Sequence, residues 1–141
     1  MFMGAKMNNK LPKFERDTSY RRRGGSAQWL LLLCGVCKEE ITLYQKDGPG
    51  KLLRLYLDRV ANTDGERPYK NLPYKEIGAL TCNACSSVIG VPMLYAKDEK
   101  PRTAIRLINA GVDQTKINQT SFGALPNIDP LITMRSINKN N

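Results

Sequence analysis

The sequence predicts a mainly β protein, in which one small antiparallel β domain lies between flexible N- and C-terminal segments. Residues 29–110 contain several short stretches of alternating apolar and polar side chains, separated by turn-forming residues. Two Cys-x-x-Cys pairs fall within the same region. Residues 1–28 and 111–141 show neither pattern, so we expect a basic flexible arm and an Asn-rich, disordered tail.

The predicted strands begin with Trp29–Leu33, a continuous apolar run that leads into Cys34. Ile41–Gln45 alternates in the manner of a half-buried strand, and the Gly and Pro residues of 46–50 predict a turn after it. The next segment is ambiguous, because Leu52–Val60 fits both a strand with alternating leucines and an amphipathic helix. We favour the strand, since a turn precedes it.

The second half of the domain begins with an irregular loop over Ala61–Lys75, which contains two prolines and an Asp-Gly pair. Ile77–Thr81 is a short apolar segment that leads into the second cysteine pair. Val88–Tyr95 and Thr103–Asn109 both have strand patterns, and the turn residues Asp98–Pro101 lie between them. These last two strands are therefore predicted to form a β-hairpin.

The cysteines are the most informative feature of the chain. Cys34 and Cys37 form one Cys-x-x-Cys pair, Cys82 and Cys85 form another, and 44 residues separate the pairs. Zinc in structural sites takes four tetrahedral ligands, and each such pair supplies two thiolates from one tight turn. Small residues inside these turns leave backbone N–H groups free to point at the sulfurs. We therefore predict one structural Zn²⁺ ion; iron held by four thiolates is the alternative metal.

The composition argues against an enzyme. A zinc ion with four thiolate ligands has no open position for water, which a catalytic zinc usually keeps. The chain contains no histidine, which removes the commonest general base. We expect neither catalysis nor a small-molecule substrate. The longest apolar run is six residues, against about 20 for a bilayer span, so we expect no membrane partner and a cytoplasmic location where thiols stay reduced.

Positive charge is concentrated near the N-terminus. The chain has 22 Lys and Arg against 13 Asp and Glu, and seven of the basic residues lie in residues 1–28 with only two acidic ones. Such an arm suits a polyanionic partner, most simply nucleic acid, although a solvated, solubilising tail is the alternative. The first candidates for phosphate contacts are Arg21, Arg22 and Arg23.

A second basic group surrounds the predicted turn at residues 46–50. It consists of Lys46, Lys51 and Arg54, with Tyr44 and Tyr56 nearby in sequence. Basic residues interleaved with aromatic ones can follow a phosphate backbone and stack on bases. The polar face of a half-exposed sheet would show the same pattern.

Across Trp29–Asn109 the chain resembles the zinc-ribbon superfamily, in which two cysteine knuckles from two β-hairpins hold one zinc ion. Tyr44–Gly50, Leu55–Arg59 and Gly90–Tyr95 are similar to segments of small, uncharacterised prokaryotic zinc-ribbon proteins. The resemblance implies that the four cysteines are the metal ligands, and it implies no particular activity. Because zinc ribbons occur in ribosomal proteins, transcription factors and polymerase subunits, it also suggests a nucleic-acid or nucleoprotein partner.

Three functions are compatible with these patterns. The leading hypothesis is a non-catalytic, zinc-stabilised module that binds RNA or a ribonucleoprotein. The second is a protein–protein adaptor or assembly component, in which the basic arm is incidental. The third is a thiol oxidoreductase, which needs an exposed cysteine with a lowered pKa.

Overall fold

The structure, a computed structural model, describes residues 10–96, 101–108, 111–128 and 132–134. It confirms the mainly β prediction: the described part of the chain forms two antiparallel sheets and only short helices. The strands are β1 (Ala27–Cys34), β2 (Glu40–Asp47), β3 (Arg54–Tyr56), β4 (Val60–Ala61), β5 (Ile77–Thr81), β6 (Val88–Tyr95), β7 (Arg102–Leu107), β8 (Val112–Ile117) and β9 (Ile132–Met134). The α-helices are α1 (Thr18–Arg22) and α2 (Gln119–Gly123), and short 3₁₀ turns cover Leu57–Arg59 and Tyr74–Glu76.

The first sheet has the strand order β4-β2-β1-β8 and the second has the order β3-β7-β6-β5-β9. In each sheet one hairpin carries a cysteine pair at its tip, β1–β2 in the first and β5–β6 in the second. The predicted hairpin of the last two strands is also present, as β6 paired antiparallel with β7. Among the described residues, no helix is long and apolar enough to cross a bilayer.

The ambiguous segment at residues 52–60 resolves as a short strand followed by a 3₁₀ turn. β3 is only three residues long, because the chain turns at Leu57–Arg59 before β4 begins. Leu55 and Leu57 are buried as the alternation predicts, whereas Leu53 is 59% exposed. The strand interpretation is therefore confirmed for β3 alone.

One hydrophobic core lies between the two sheets. It contains Leu30, Leu32 and Ile41 from the first sheet, and Leu80 and Ile105 from the second. The backbone N–H of Tyr56 donates a 2.8 Å hydrogen bond to the buried Tyr44 hydroxyl, which links β3 to β2 across this core. Burial of the phenol raises the pKa of Tyr44 far above its usual value.

A second core covers the opposite face of the first sheet. Trp29 and Leu31 of β1 point to this side, so β1 is buried on both faces. The residues that cover it come from the two chain segments outside the predicted domain: Leu11 and Phe14 before β1, and Phe122, Leu125 and Ile128 after β8. A continuous apolar run is what a strand buried on both faces requires.

Residues 10–28 and 111–128 therefore belong to the folded domain, in contrast to the flexible arm and disordered tail that the sequence predicts. The tail segment contributes β8, which pairs with β1 from Trp29↔Ile117 to Cys34↔Val112. It also contributes α2, whose Phe122 is fully buried. Isolated apolar residues without periodicity gave no local signal for these elements, since their burial depends on a sheet distant in sequence. Residues 1–9 and 135–141 lie outside the described residues.

Polar contacts also fix residues 10–28 to the first sheet. The Trp29 indole N–H donates to the Pro12 carbonyl at 3.0 Å. The buried Gln45 side chain makes two hydrogen bonds to the Glu15 backbone, one as acceptor at 2.8 Å and one as donor at 2.9 Å. An ion pair of 2.8 Å joins the buried Arg59 to Asp17, the N-cap of α1. The segment thus packs against the two central strands of the first sheet before β1 begins.

Candidate metal centre and basic cavity

The first cysteine pair lies in the turn between β1 and β2, here called the first knuckle (Cys34–Cys37). The Cys34 N–H donates to the Glu39 carbonyl at 2.8 Å, and the Cys34 carbonyl accepts from the Lys38 N–H at 2.9 Å. The Val36 N–H points at the Cys34 sulfur, at 3.4 Å. Lys38 adopts a positive φ of 68°, which closes the turn directly after Cys37.

The second knuckle (Cys82–Cys85), between β5 and β6, repeats this geometry. The Cys82 N–H donates to the Ser87 carbonyl at 2.9 Å, and the Ser86 N–H donates to the Cys82 carbonyl at 3.0 Å. The Ala84 N–H lies 3.4 Å from the Cys82 sulfur, and Ser86 has a φ of 65°. Both knuckles therefore direct an N–H group at the first sulfur, as expected from the sequence, and such hydrogen bonds stabilise a thiolate.

The two knuckles face one another, and all four sulfur atoms lie within 4.8 Å of one another. The Cys34 and Cys85 sulfurs are 3.8 Å apart, and those of Cys37 and Cys82 are 3.5 Å apart. Four thiolates at about 2.3 Å from a central zinc, arranged tetrahedrally, have sulfurs about 3.8 Å apart. The cluster could therefore hold one metal ion.

The electrostatics of the thiols without a metal are uneven. Hydrogen bonds from the Ser87 hydroxyl and backbone N–H lower the pKa of Cys85 to about 6. A Glu39 N–H favours the Cys37 thiolate, but burial and hydrogen bonds with the other cysteines outweigh it and raise the pKa of Cys37 to about 12. Adjacent thiolates repel one another, so four thiolates coexist only when a cation lies between them.

An ion pair and a backbone hydrogen bond join the first knuckle to the segment at β8. The Lys38 ammonium donates to the Gly35 carbonyl at 3.2 Å and pairs with Asp113 of β8 at 2.6 Å. Gly111, the residue before β8, also accepts a 2.9 Å hydrogen bond from the Gly35 N–H. β8 thus supports the knuckle, a contribution that the sequence did not reveal because residues 111–141 were predicted to be a loose tail.

The predicted basic residues converge on a different part of the molecule. A cavity of about 310 Å³, here called the basic cavity, lies between α1 and the turn that follows β2. Five of the six predicted phosphate contacts line it, and Arg21 does not. They are Arg22, Arg23, Lys46, Lys51 and Arg54, joined by Tyr44, Gln45, Asp47, Pro49, Leu52, Leu53, Tyr56 and Arg59.

The closeness of α1 to the turn depends on Gly48. Its φ is +67°, and a Cβ at this position would lie 2.5 Å from the Arg23 carbonyl oxygen. The Gly48 N–H donates to the Ser26 carbonyl at 2.9 Å. Glycine is thus required both for the backbone conformation and for the approach of residues 23–26.

The Lys46 side chain forms hydrogen bonds within the turn after β2 and is not exposed at the surface. Its side chain is 8% exposed, and its ammonium donates to the carbonyls of Asp47, Gly48 and Pro49 at 3.0–3.4 Å. Burial, and then the charge of Arg23, lower its pKa. Lys46 therefore holds the turn that shapes the cavity.

Arginines surround Tyr56 at the other side of the cavity. The guanidinium groups of Arg23 and Arg102 lie 5.3 Å and 3.9 Å from the centre of its ring. Arg54 donates to the Tyr56 hydroxyl at 3.3 Å and lies 4.7 Å from the centre of the Tyr95 ring. These cation–π contacts orient the guanidinium groups around the ring, and Arg102 is in addition paired with Asp58 at 2.6 Å.

Searches of protein-family models, of curated proteins and of solved structures found no match to this chain. The class of protein is therefore inferred from the fold and the cysteine cluster alone. It is a small, mainly β protein whose four-cysteine cluster could bind a metal and is consistent with a zinc-ribbon-like site.

Proposed function

We propose that this protein is a non-catalytic module, stabilised by one structural zinc ion, that binds RNA or a ribonucleoprotein through the surface around the basic cavity. The observation that carries the metal assignment is the pair of equivalent knuckles, which present four thiols at tetrahedral spacing. Four sulfur ligands without histidine or carboxylate favour zinc, with iron as the competitor.

The same arrangement supports a structural rather than a catalytic role. Short sulfur–sulfur distances join Cys34 to Cys85 and Cys37 to Cys82, so the thiols of both knuckles form one cluster. A thiol oxidoreductase instead uses the two cysteines of one Cys-x-x-Cys pair. Cross-knuckle ligation also joins the two sheets, because each knuckle belongs to a different one.

The RNA assignment is supported by the convergence of basic side chains around one concave surface. Arg22 and Lys51 are exposed and make no ion pair with any residue that the structure describes. Arg59, a buried residue of the same cavity, is by contrast ion-paired with Asp17 and Asp47. Cations without acidic partners are the ones that can release condensed counterions from phosphates.

The test is the affinity of zinc-loaded protein for a single-stranded RNA pool across a salt series, measured by fluorescence anisotropy. The logarithm of the binding constant falls as the logarithm of the salt concentration rises. Each lost phosphate contact should reduce the magnitude of this negative slope by about 0.7 for a single strand. We expect that decrease for Lys51→Gln and for Arg22→Gln. Lys116→Gln, an equally exposed cation on β8, is the matched control and should keep the full slope. Absence of RNA binding at low salt would refute the proposal.

Point substitutions are the appropriate variants, because deletion of residues 1–28 would remove parts of the fold. Phe14 packs on Trp29 with ring centres 5.4 Å apart, and Asp17 pairs with Arg59. If a shortened chain failed to bind RNA, unfolding and the loss of phosphate contacts would give the same result.

A further inference from the structure

The basic cavity is lined both by buried residues and by exposed charged ones. Tyr44, Gln45 and Arg59 are the buried lining residues, all at most 2% exposed. Arg22 and Lys51 are exposed lining residues, and they come from different segments of the chain. The cavity is therefore a concave site to which separate segments of the chain contribute cations.

The charge inside this space is strongly positive. Its acidic lining residue, Asp47, is ion-paired with Arg59 at 2.8 Å. Lys51 and Arg54 make no ion pair with the described residues, and Arg54 contacts Tyr56 and Tyr95. Several N–H donors on separate segments, around one concave space, suit an anion that has several acceptor oxygens.

The cavity also has an apolar side. Leu52 and Leu53 line it, and Leu53 is 59% exposed although it is a large apolar residue. A volume of about 310 Å³ is at the lower end of the range for small-ligand pockets, which begins at about 300 Å³. An anion joined to a flat apolar group, as in one nucleotide, matches both sides of the space.

From this geometry we propose that the basic cavity is a binding site for the phosphate monoester of a single nucleotide, as found at the end of an RNA strand or in a free mononucleotide. This inference deepens the proposed function, on which the strand-end case rests. A terminal phosphate carries a charge of about −1.5 to −2 at neutral pH, whereas a phosphodiester within a strand carries one negative charge. A concave site lined by several cations therefore favours the terminal group, which carries the higher negative charge.

The experiment compares short single-stranded RNAs of one sequence that end in a 5′-hydroxyl, a 5′-phosphate or a 3′-phosphate, with the fluorophore on the opposite end. We expect one phosphorylated end to bind at least about tenfold more tightly than the hydroxyl end, as two charge-assisted hydrogen bonds provide. Adenosine monophosphate should compete for that advantage, and adenosine should not.

Variants assign the effect to the cavity. Lys51→Gln and Arg22→Gln, both at exposed positions, should remove most of the advantage of the phosphorylated end, and Lys116→Gln should retain it. Each variant is checked for cooperative unfolding, and two independent lining positions protect the test against a folding defect in one of them.

The outcomes separate this inference from the proposed function. Equal affinity for phosphorylated and hydroxyl RNAs, with a normal salt slope, would overturn the terminal-phosphate site and leave RNA binding in place. Binding of adenosine monophosphate that depends on Lys51, without affinity for any RNA, would support the site and overturn the RNA function.

Discussion

Arg59 shows how strongly single residues join the N-terminal segment to the fold. Its guanidinium is 1% exposed and contacts three carboxylates, those of Asp17, Asp47 and Asp58, at 2.8, 2.8 and 3.6 Å. Burial disfavours the charged guanidinium, but the hydrogen bonds and charges of these three groups outweigh it and raise the pKa of Arg59. A buried cation needs such partners, and one of them lies on the segment before β1.

Asp17→Asn should destabilise the protein at neutral pH by about 1 kcal/mol, a modest loss because the Asp17 side chain is 45% exposed and two carboxylates remain. Partial burial opposes ionisation, but the hydrogen bond from Arg59 lowers the pKa of Asp17 from 3.8 to about 2. A lowered folded-state pKa stabilises the fold above the unfolded-state value, and the effect disappears as pH falls from about 4 to about 2.

Urea unfolding at several pH values measures this effect. The difference between the wild-type protein and Asp17→Asn should shrink across the acidic range, whereas the exposed Glu66→Gln should match the wild type at neutral pH. A difference that stayed constant down to pH 2 would contradict the ion pair as its cause.

Gly90 provides a second test at a single position. A Cβ on this residue of β6 would lie 2.4 Å from the Ile105 Cγ2 atom and 2.7 Å from the Arg106 carbonyl oxygen, both on β7. Gly90→Ala should therefore cost about 1–3 kcal/mol by overpacking. Gly123→Ala in α2 is the control, because no atom beyond its chain neighbours and its own helix backbone lies within 4 Å of its Cβ position. Equal urea midpoints for the two variants would contradict the close approach of β7 to Gly90.

At the scale of elements, the sequence predicted the strands that have a local apolar–polar pattern and missed the elements that lack one. The bounds of β5 and β6 agree with the predicted ones, because alternation and flanking cysteine turns are encoded in neighbouring residues. β8 and α2 have no such pattern: four of the six β8 residues are exposed, and α2 buries only Phe122. The sequence signal that could have indicated these elements was the unbroken apolar run Trp29–Leu33. A strand with such a run needs other residues packed against both of its faces.

Phe122→Ala tests whether the segment after β8 belongs to the folded domain. Phe122 is fully buried beneath the first sheet, so its removal should lower the free energy of unfolding by about 3–5 kcal/mol. Leu53→Ala, at a position 59% exposed, should change it by less than about 0.5 kcal/mol. If Phe122→Ala unfolded at the wild-type urea concentration, residues 119–128 would not be packed as described.

For the whole molecule, the four-cysteine cluster is the part of the site that the sequence predicted best. The four cysteines come together as their spacing indicated, and each knuckle lies at the tip of a hairpin. The basic cavity was predicted only as two separate groups of residues. Their convergence depends on the docking of α1 against the β2 turn, which involves the Gly48 contact and the buried Arg59 ion pair. Neither is visible in local sequence patterns.

The position of the cysteine cluster between the two sheets explains why a metal should matter for the entire fold. Cys34 belongs to the hydrophobic core between the sheets, and so does Cys82 of the second knuckle. A metal at this point would tie the two hairpins together and contribute its binding free energy to folding. Cys82→Ser should therefore lose the metal and cooperative unfolding together, as judged by circular dichroism during thermal denaturation.

The central claim is that one metal ion, zinc, is held by four thiolates, and native mass spectrometry of the purified protein tests it most directly. We expect one zinc ion per chain, seen as a mass that exceeds the apoprotein by one zinc less two protons, and no bound zinc in Cys82→Ser. A metal-free wild-type chain with four titratable thiols and unchanged unfolding after chelator treatment would contradict it. One iron per chain would keep the four-thiolate site and replace the proposed metal.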